Sequence, residues 1–219
     1  MSREILLKEK QNVKKLGLTE LIENEMLDKK TAEYLADKAK TSSRILFCGK
    51  GASGKTTLMN ALLEHIPKDK AGLVIQENEE LFSKKHPNMM FQHVVMANGE
   101  GKVEYSLKDL ARNGLLIDLD YFIIGEINGD EALYFFNAYD TGLQTWGSIT
   151  GYSSSKALSK LVNNISSASG YSQSDVLKML TSLHVIVFLK DFKVKEVLEI
   201  VGYNAKTERL KYKTIMKAN

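Results

Sequence analysis

The chain has 219 residues, with 30 basic and 27 acidic side chains and a formal net charge of +3. That charge is too small to indicate nucleic acid by itself. A single cysteine, Cys48, excludes an intramolecular disulfide, and no apolar run approaches the ~20 residues of a membrane helix.

Hydrophobic and charged contents of 43% and 26% suit a globular chain able to bury its own core. Two prolines argue against disordered linkers, and no secretory leader pattern opens the sequence. The expected location is the cytoplasm, with any membrane contact made through partners. Arginine is scarce: Arg3, Arg44, Arg112 and Arg209 are the four present.

Residues 3–40 read as helical, with Leu16, Leu18, Leu21, Ile22, Leu27 and Leu35 at three- and four-residue steps and Asp28 placed to cap a second helix. Arg44 to Cys48 is an apolar run expected to be a buried strand. Lys55 to Ile66 shows helical spacing. Leu73 to Ile75 and Met89 to Met96 read as strands. Tyr105 to Leu116 reads as a helix with Ser106 as a plausible N-cap. Tyr121 to Ile124 is again a buried strand, followed by a helix over Glu131 to Tyr139 and a strand over Trp146 to Thr150. Ser153 to Ser167 and Ser172 to Leu183 read as helices. From His184 the pattern becomes three strands, Val185 to Leu189, Lys193 to Val201 and Leu210 to Ile215. The expectation is an α/β fold with a mainly parallel sheet, a helical N-terminal segment (1–40) and a C-terminal antiparallel meander closing the domain of residues 41–219.

The sequence Gly49-Lys50-Gly51-Ala52-Ser53-Gly54-Lys55-Thr56 fits the G-x-x-x-x-G-K-[ST] phosphate loop in full. Glycines let backbone amides wrap a phosphate. Lys55 sets a cation at the β/γ oxygens, the Thr56 hydroxyl is a Mg²⁺ ligand, and the following helix directs its positive end at the anion. A chance match in a chain of this length has a probability of roughly 1%. Gly51, Ala52, Ser53, Gly54, Lys55, Thr56 and Thr57 are therefore candidate ATP contacts.

Such a loop needs a carboxylate at the end of a neighbouring strand, to hold the metal and direct water. Glu126, after Tyr121 to Ile124, is the candidate for catalysis and for metal binding. Glu77, after the strand at Leu73 to Ile75, is a second catalytic candidate, for water activation or Mg²⁺. A solvated acidic loop is the alternative there, since Glu79 and Glu80 follow closely.

The order Leu46-Phe-Cys-Gly-Lys-Gly-Ala-Ser-Gly-Lys-Thr-Thr-Leu-Met-Asn-Ala-Leu62, then Ile75 to Leu81, Asp120 to Ile127 and Glu131 through Gly142, resembles the type II/type IV secretion ATPases. The branch most similar is that of tight-adherence (Flp) pilus assembly and conjugation. The resemblance implies a RecA-like P-loop domain working in a ring, as a hexamer, on ATP and Mg²⁺. The partner it implies is an inner-membrane platform protein of a secretion, pilus-assembly or conjugation apparatus, and nothing points to direct nucleic-acid contact. It gives Glu126 the Walker B role and Glu77 the acidic-box role, and it matches Arg112 to an arginine of the helix before Walker B. Several positions depart from that pattern. Gln76 replaces the first of two acids, Asn128 replaces an arginine, and Leu143 and Thr150 replace two histidines. Two readings follow: an active ATPase motor, or a hydrolysis-impaired nucleotide-binding subunit of the same apparatus.

Overall fold

In the computed structural model, residues 15–41, 43–83, 85–95 and 104–218 are described. The fold follows from alternation in the buried strands. In β1 (Ile45–Gly49), Ile45 and Phe47 face one side of the sheet, and Leu46 and Cys48 face the other. Both faces are thus apolar, and each needs a helical cover.

Three helices cover the first face: α1 (Leu18–Glu23), α2 (Lys29–Lys40) and α3 (Lys55–Leu63). They share a core with Ile45, Phe47, Val74, Tyr121, Ile123, Trp146 and Val187. The opposite face is packed by α4 (Leu107–Gly114), α5 (Glu131–Asp140), α6 (Ser154–Ala168) and α7 (Gln173–Met179), against Leu46, Leu73, Phe122, Ile124, Ile149 and Ile186.

The remaining strands are β2 (Gly72–Gln76), β3 (Met89–His93), β4 (Tyr121–Ile124), β5 (Gln144–Thr150), β6 (Val185–Lys190), β7 (Lys193–Asn204) and β8 (Arg209–Lys217). Among the described residues they form one eight-stranded sheet in the order β3-β2-β4-β5-β1-β6-β7-β8. The first six strands of that order run parallel, and β7 and β8 pair antiparallel. The α/β fold with a C-terminal meander is therefore as expected.

Among the described residues the N-terminal segment carries two helices, the second capped by Asp28 as expected. Gly17 caps the first, Asp28 accepts the Thr31 N–H at 2.8 Å to cap the second, and the chain turns between them with Glu25 at φ 54°. The portion of that segment before residue 15, including Arg3, lies outside the described residues. So does Met96, the expected end of β3; the strand itself stops at His93. The helix expected over Ser172 to Leu183 ends at Met179 and tightens into a 3₁₀ turn at Leu180–Ser182, a common helix ending.

Trp146 anchors the centre. It is fully buried, and its ring meets Phe47 and Tyr121 edge-on, each at 6.2 Å between centroids. Its indole N–H donates to the Ser43 carbonyl at 3.1 Å, while Tyr121 Oη donates to the Ala39 carbonyl at 3.0 Å. These bonds dock the end of α2 and the following turn on the sheet. They satisfy two polar tips that burial would otherwise penalise.

Candidate functional site

The parallel strands β1, β2, β4 and β5 all end on one side of the sheet, and a cleft opens there. Gly51, Ala52, Lys55, Thr56, Gln76, Glu77, Glu80, Gly125, Glu126 and Ser148 line it. Of the sequence candidates, Gly51, Ala52, Lys55, Thr56, Glu77 and Glu126 are brought together. Ser53 and Gly54 lie in the loop beneath, and Thr57 is half-buried in the first turn of α3. Arg112 does not line the cleft. It sits on an exposed face of α4, 3.7 Å from Asp109.

The loop between β1 and α3 takes conformations that its glycines make possible. Ala52 has φ 56°, and Gly54, the N-cap of α3, has φ 98°. A Cβ at Gly54 would stand 2.6 Å from Met26 Cε, so glycine is required by both backbone and space. Lys55 is buried and donates to the Gly49 and Lys50 carbonyls at 3.2 and 3.0 Å. Burial pushes its pKa down, and the negative charge of Glu126 works against that shift. The ammonium is held by its own loop's carbonyls, and an anion entering the cleft can replace them as its partner. The buried Ser53 hydroxyl in the same loop has no hydrogen-bond partner. This cradle fits a polyphosphate.

The acidic side is built by side chains far apart in sequence. Glu126 is half-buried, and its carboxylate accepts a short hydrogen bond from the Thr150 hydroxyl at the end of β5. Thr56 Oγ1 donates to Glu80 Oε2 at 3.2 Å. Gln76 accepts the Glu80 and Leu81 N–H groups at 2.9 and 2.7 Å and donates to the Leu81 carbonyl at 2.9 Å. From α3, Asn60 donates to the Glu80 carbonyl at 2.8 Å and accepts the Phe82 N–H at 3.1 Å. The acidic turn is thus clamped from two sides and delivers Glu80 to Thr56. A hydroxyl and a carboxylate in that relation fit Mg²⁺, which is held by few protein ligands together with phosphate oxygens.

Two departures from the resembled pattern, Gln76 and Thr150, meet here. A Cβ at Gly125 would lie 2.9 Å from Gln76 Cβ, so the residue before Glu126 must be glycine while β2 ends as it does. Thr150 occupies one histidine position and reaches Glu126. Leu143, at the other, lies just before β5, toward the far end of the sheet, where its carbonyl accepts from Arg44 Nε at 3.2 Å. The Arg44 side chain also stacks over the Tyr139 ring at 4.7 Å, so it is committed away from the cleft. Sequence reading missed Gln76, Glu80, Asn60 and Thr150 as site builders. Position at strand ends was the available signal for Gln76 and Thr150; none existed for Asn60.

The chain is similar to several known secretion proteins. VirB11 of the type IV secretion system of Bartonella quintana is 28% identical over 181 residues, covering 78% of this chain and 50% of that protein. VirB11 of Brucella suis is 35% identical over 111 residues, covering 48% and 29%. The chain spans half or less of the length of these curated relatives. The Brucella suis VirB11 ATPase, solved with sulphate, superposes with a TM-score of 0.66 at 21% identity, over 91% of this chain and 62% of that one. The pilus retraction motor PilT with bound ADP gives 0.62 at 19% identity, over 94% and 55%. At such identities the two structures share the fold. Residues 5–198 match the model of the family described as type II/IV secretion system protein. The chain belongs to that family.

Proposed function

We propose that this chain is a Mg²⁺-dependent ATPase domain that powers a secretion, pilus-assembly or conjugation apparatus. The observation that carries the reading is the convergence of Lys55, Thr56, Glu126 and Thr150 on one cleft.

The loop amides and Lys55 hold the β- and γ-phosphates of ATP. Thr56 and Glu126 are the residues to hold Mg²⁺, which when bound draws charge from the phosphate oxygens. Glu126 accepts the proton of the attacking water, and the Thr150 hydroxyl fixes the orientation of that carboxylate. Glu77, at the exposed lip of the same cleft, adds a second acid toward water or metal. Arg112 is exposed on α4, and in this reading it acts on a neighbouring copy instead of its own cleft. That placement suits a ring of identical chains, with a hexamer as the expected form. The platform protein of the apparatus in the cytoplasmic membrane is the partner that tethers the ring. Among the described residues no helix is long and apolar enough to cross a membrane.

A second reading, a nucleotide-binding subunit with impaired hydrolysis, is favoured by one observation. Neither Arg44 nor Arg112 enters the chain's own cleft, so a single chain lacks an arginine finger, which is worth about 10³–10⁵ in rate.

Steady-state phosphate release with ATP and Mg²⁺, beside a nucleotide titration, separates the two. Glu126→Gln is expected to lower turnover by about 10²–10⁴ while retaining ATP. Tight ATP binding with no turnover above Glu126→Gln, at concentrations that form rings, would establish the second reading. Wild type that fails to bind nucleotide, indistinguishable from Lys55→Ala, would overturn both.

A further inference from the structure

The cleft lined by Lys55, Thr56, Glu77 and Glu126 offers no aromatic ring for the base of a nucleotide. We propose that Phe192 is the platform on which that base stacks. The proposal rests on reading the cleft as a nucleotide site.

Direction comes first. Thr150 and Leu189 flank Gly49 on its two sides in the sheet register. Glu77, Glu80 and Glu126 all follow β2 or β4, on the β5 flank of the loop. The terminal phosphate therefore points to that flank. A polyphosphate laid along the loop carries its nucleoside out the other way, toward the end of β6.

What stands there is the β6–β7 turn. Lys190 pairs with Lys193, so Asp191 and Phe192 form a two-residue connection, with φ of 50° and 60°. Such turns demand positive φ and favour Asn-Gly. A bulky aromatic in that conformation is strained.

The ring is held against the phosphate loop. A Cβ built at Gly54 would lie 3.2 Å from Phe192 Cδ2 and 3.4 Å from Cε2. The turn is fixed from beneath, because Val194 N–H donates to the Met26 carbonyl at 2.7 Å and Lys193 pairs with Glu25 at 3.1 Å. Yet Phe192 is 43% exposed. A positioned aromatic with an open face, touching the phosphate loop on the nucleoside side, provides a stacking surface. Stacking reads a π-face and no hydrogen-bond pattern, so the ligand class is a nucleoside di- or triphosphate without selection by the base's hydrogen-bonding edge.

Tyr152 is the competing aromatic, more exposed and 4.8 Å from the Lys50 ammonium. It follows Thr150 on the γ-phosphate flank, which argues against it.

The test compares Mg-ADP with Mg-pyrophosphate by titration calorimetry. These ligands share two phosphates and differ by the nucleoside. Phe192→Ala is expected to weaken ADP about tenfold and to leave pyrophosphate within about twofold. Phe192→Trp is expected to restore ADP binding. Equal losses for both ligands would make Phe192 a mere support of the loop and overturn the proposal. So would unchanged ADP affinity in Phe192→Ala, or loss of ADP selectivity in Tyr152→Ala. Wild type that binds neither ligand would overturn the nucleotide-site reading itself, and this inference with it.

Discussion

The side-chain amide of Gln76 closes on both backbone groups of Leu81, accepting its N–H at 2.7 Å and donating to its carbonyl at 2.9 Å. A neutral group that both donates and accepts is required. The residue is buried, so every unpaired atom carries a full desolvation cost.

Gln76→Glu therefore removes the donor and sets a charge against the Leu81 carbonyl. We expect a loss of about 1–3 kcal/mol, read as a lower thermal midpoint, together with weaker Mg-nucleotide binding as the acidic turn releases Glu80. A variant as stable as wild type would show that the turn does not need this clamp.

Glu80 accepts from the Thr56 hydroxyl at 3.2 Å. The hydroxyl can keep that bond while its oxygen faces a cation, and an outer carboxylate of this kind strengthens its ligand. Glu80→Ala is expected to raise the Mg²⁺ concentration for half-maximal nucleotide binding about tenfold, with little change in metal-free affinity. Equal Mg²⁺ requirements in both proteins would remove Glu80 from the metal's surroundings.

Acid sensitivity has a specific source above the carboxylate range. His65, His86 and His184 all have pKa values lowered from the ordinary 6.5, with burial the largest cause in each. His184 Nδ1 also accepts the Arg44 N–H at 3.3 Å, which requires it unprotonated. The unfolded chain binds protons at these residues at a higher pH than the folded chain. Their stabilising contribution is therefore complete above about pH 6.5 and is lost as pH falls through their lower folded values. Denaturant midpoints should drop between pH 7.5 and pH 5.5, and less so in a His184→Asn variant. A flat profile over that window would contradict the linkage.

Cys48 is fully buried one residue before the phosphate loop, with its thiol pushed up to about 12 by burial. It should resist thiol reagents in the native protein and react on unfolding. ADP at about 100 times its Kd should slow labelling about a hundredfold, since it stabilises the folded state by ~2.7 kcal/mol. Rapid labelling in the absence of denaturant would mean that β1 opens locally.

Much was legible along the chain because its causes are local. The phosphate loop is written in contiguous residues, and its conformation depends on glycines at named positions. Caps at Asp28 and Ser106 act over three residues. Buried strands announce themselves as apolar runs. Those features identified the fold class and placed Lys55, Thr56, Glu77 and Glu126 near one another.

Other relationships had no local signature. Nothing in periodicity says that β5 inserts between β4 and β1, yet that order brings Thr150 to Glu126 across 24 residues. Asn60 reads as an ordinary helix position, and its clamp on the acidic turn exists because α3 packs beside that turn. Arg112 looked like a charge for the site, and only the folded structure shows it exposed and outside the lining of the cleft. Phe192 falls between two expected strands, and only the folded turn sets it against Gly54. The sequence by itself determined which segments become strands, helices and a phosphate loop, since backbone preference and burial act on neighbours. The tertiary structure alone decided which side chains share the cleft, because hydrogen bonds and contacts join residues by distance in space, and strand order sets that distance.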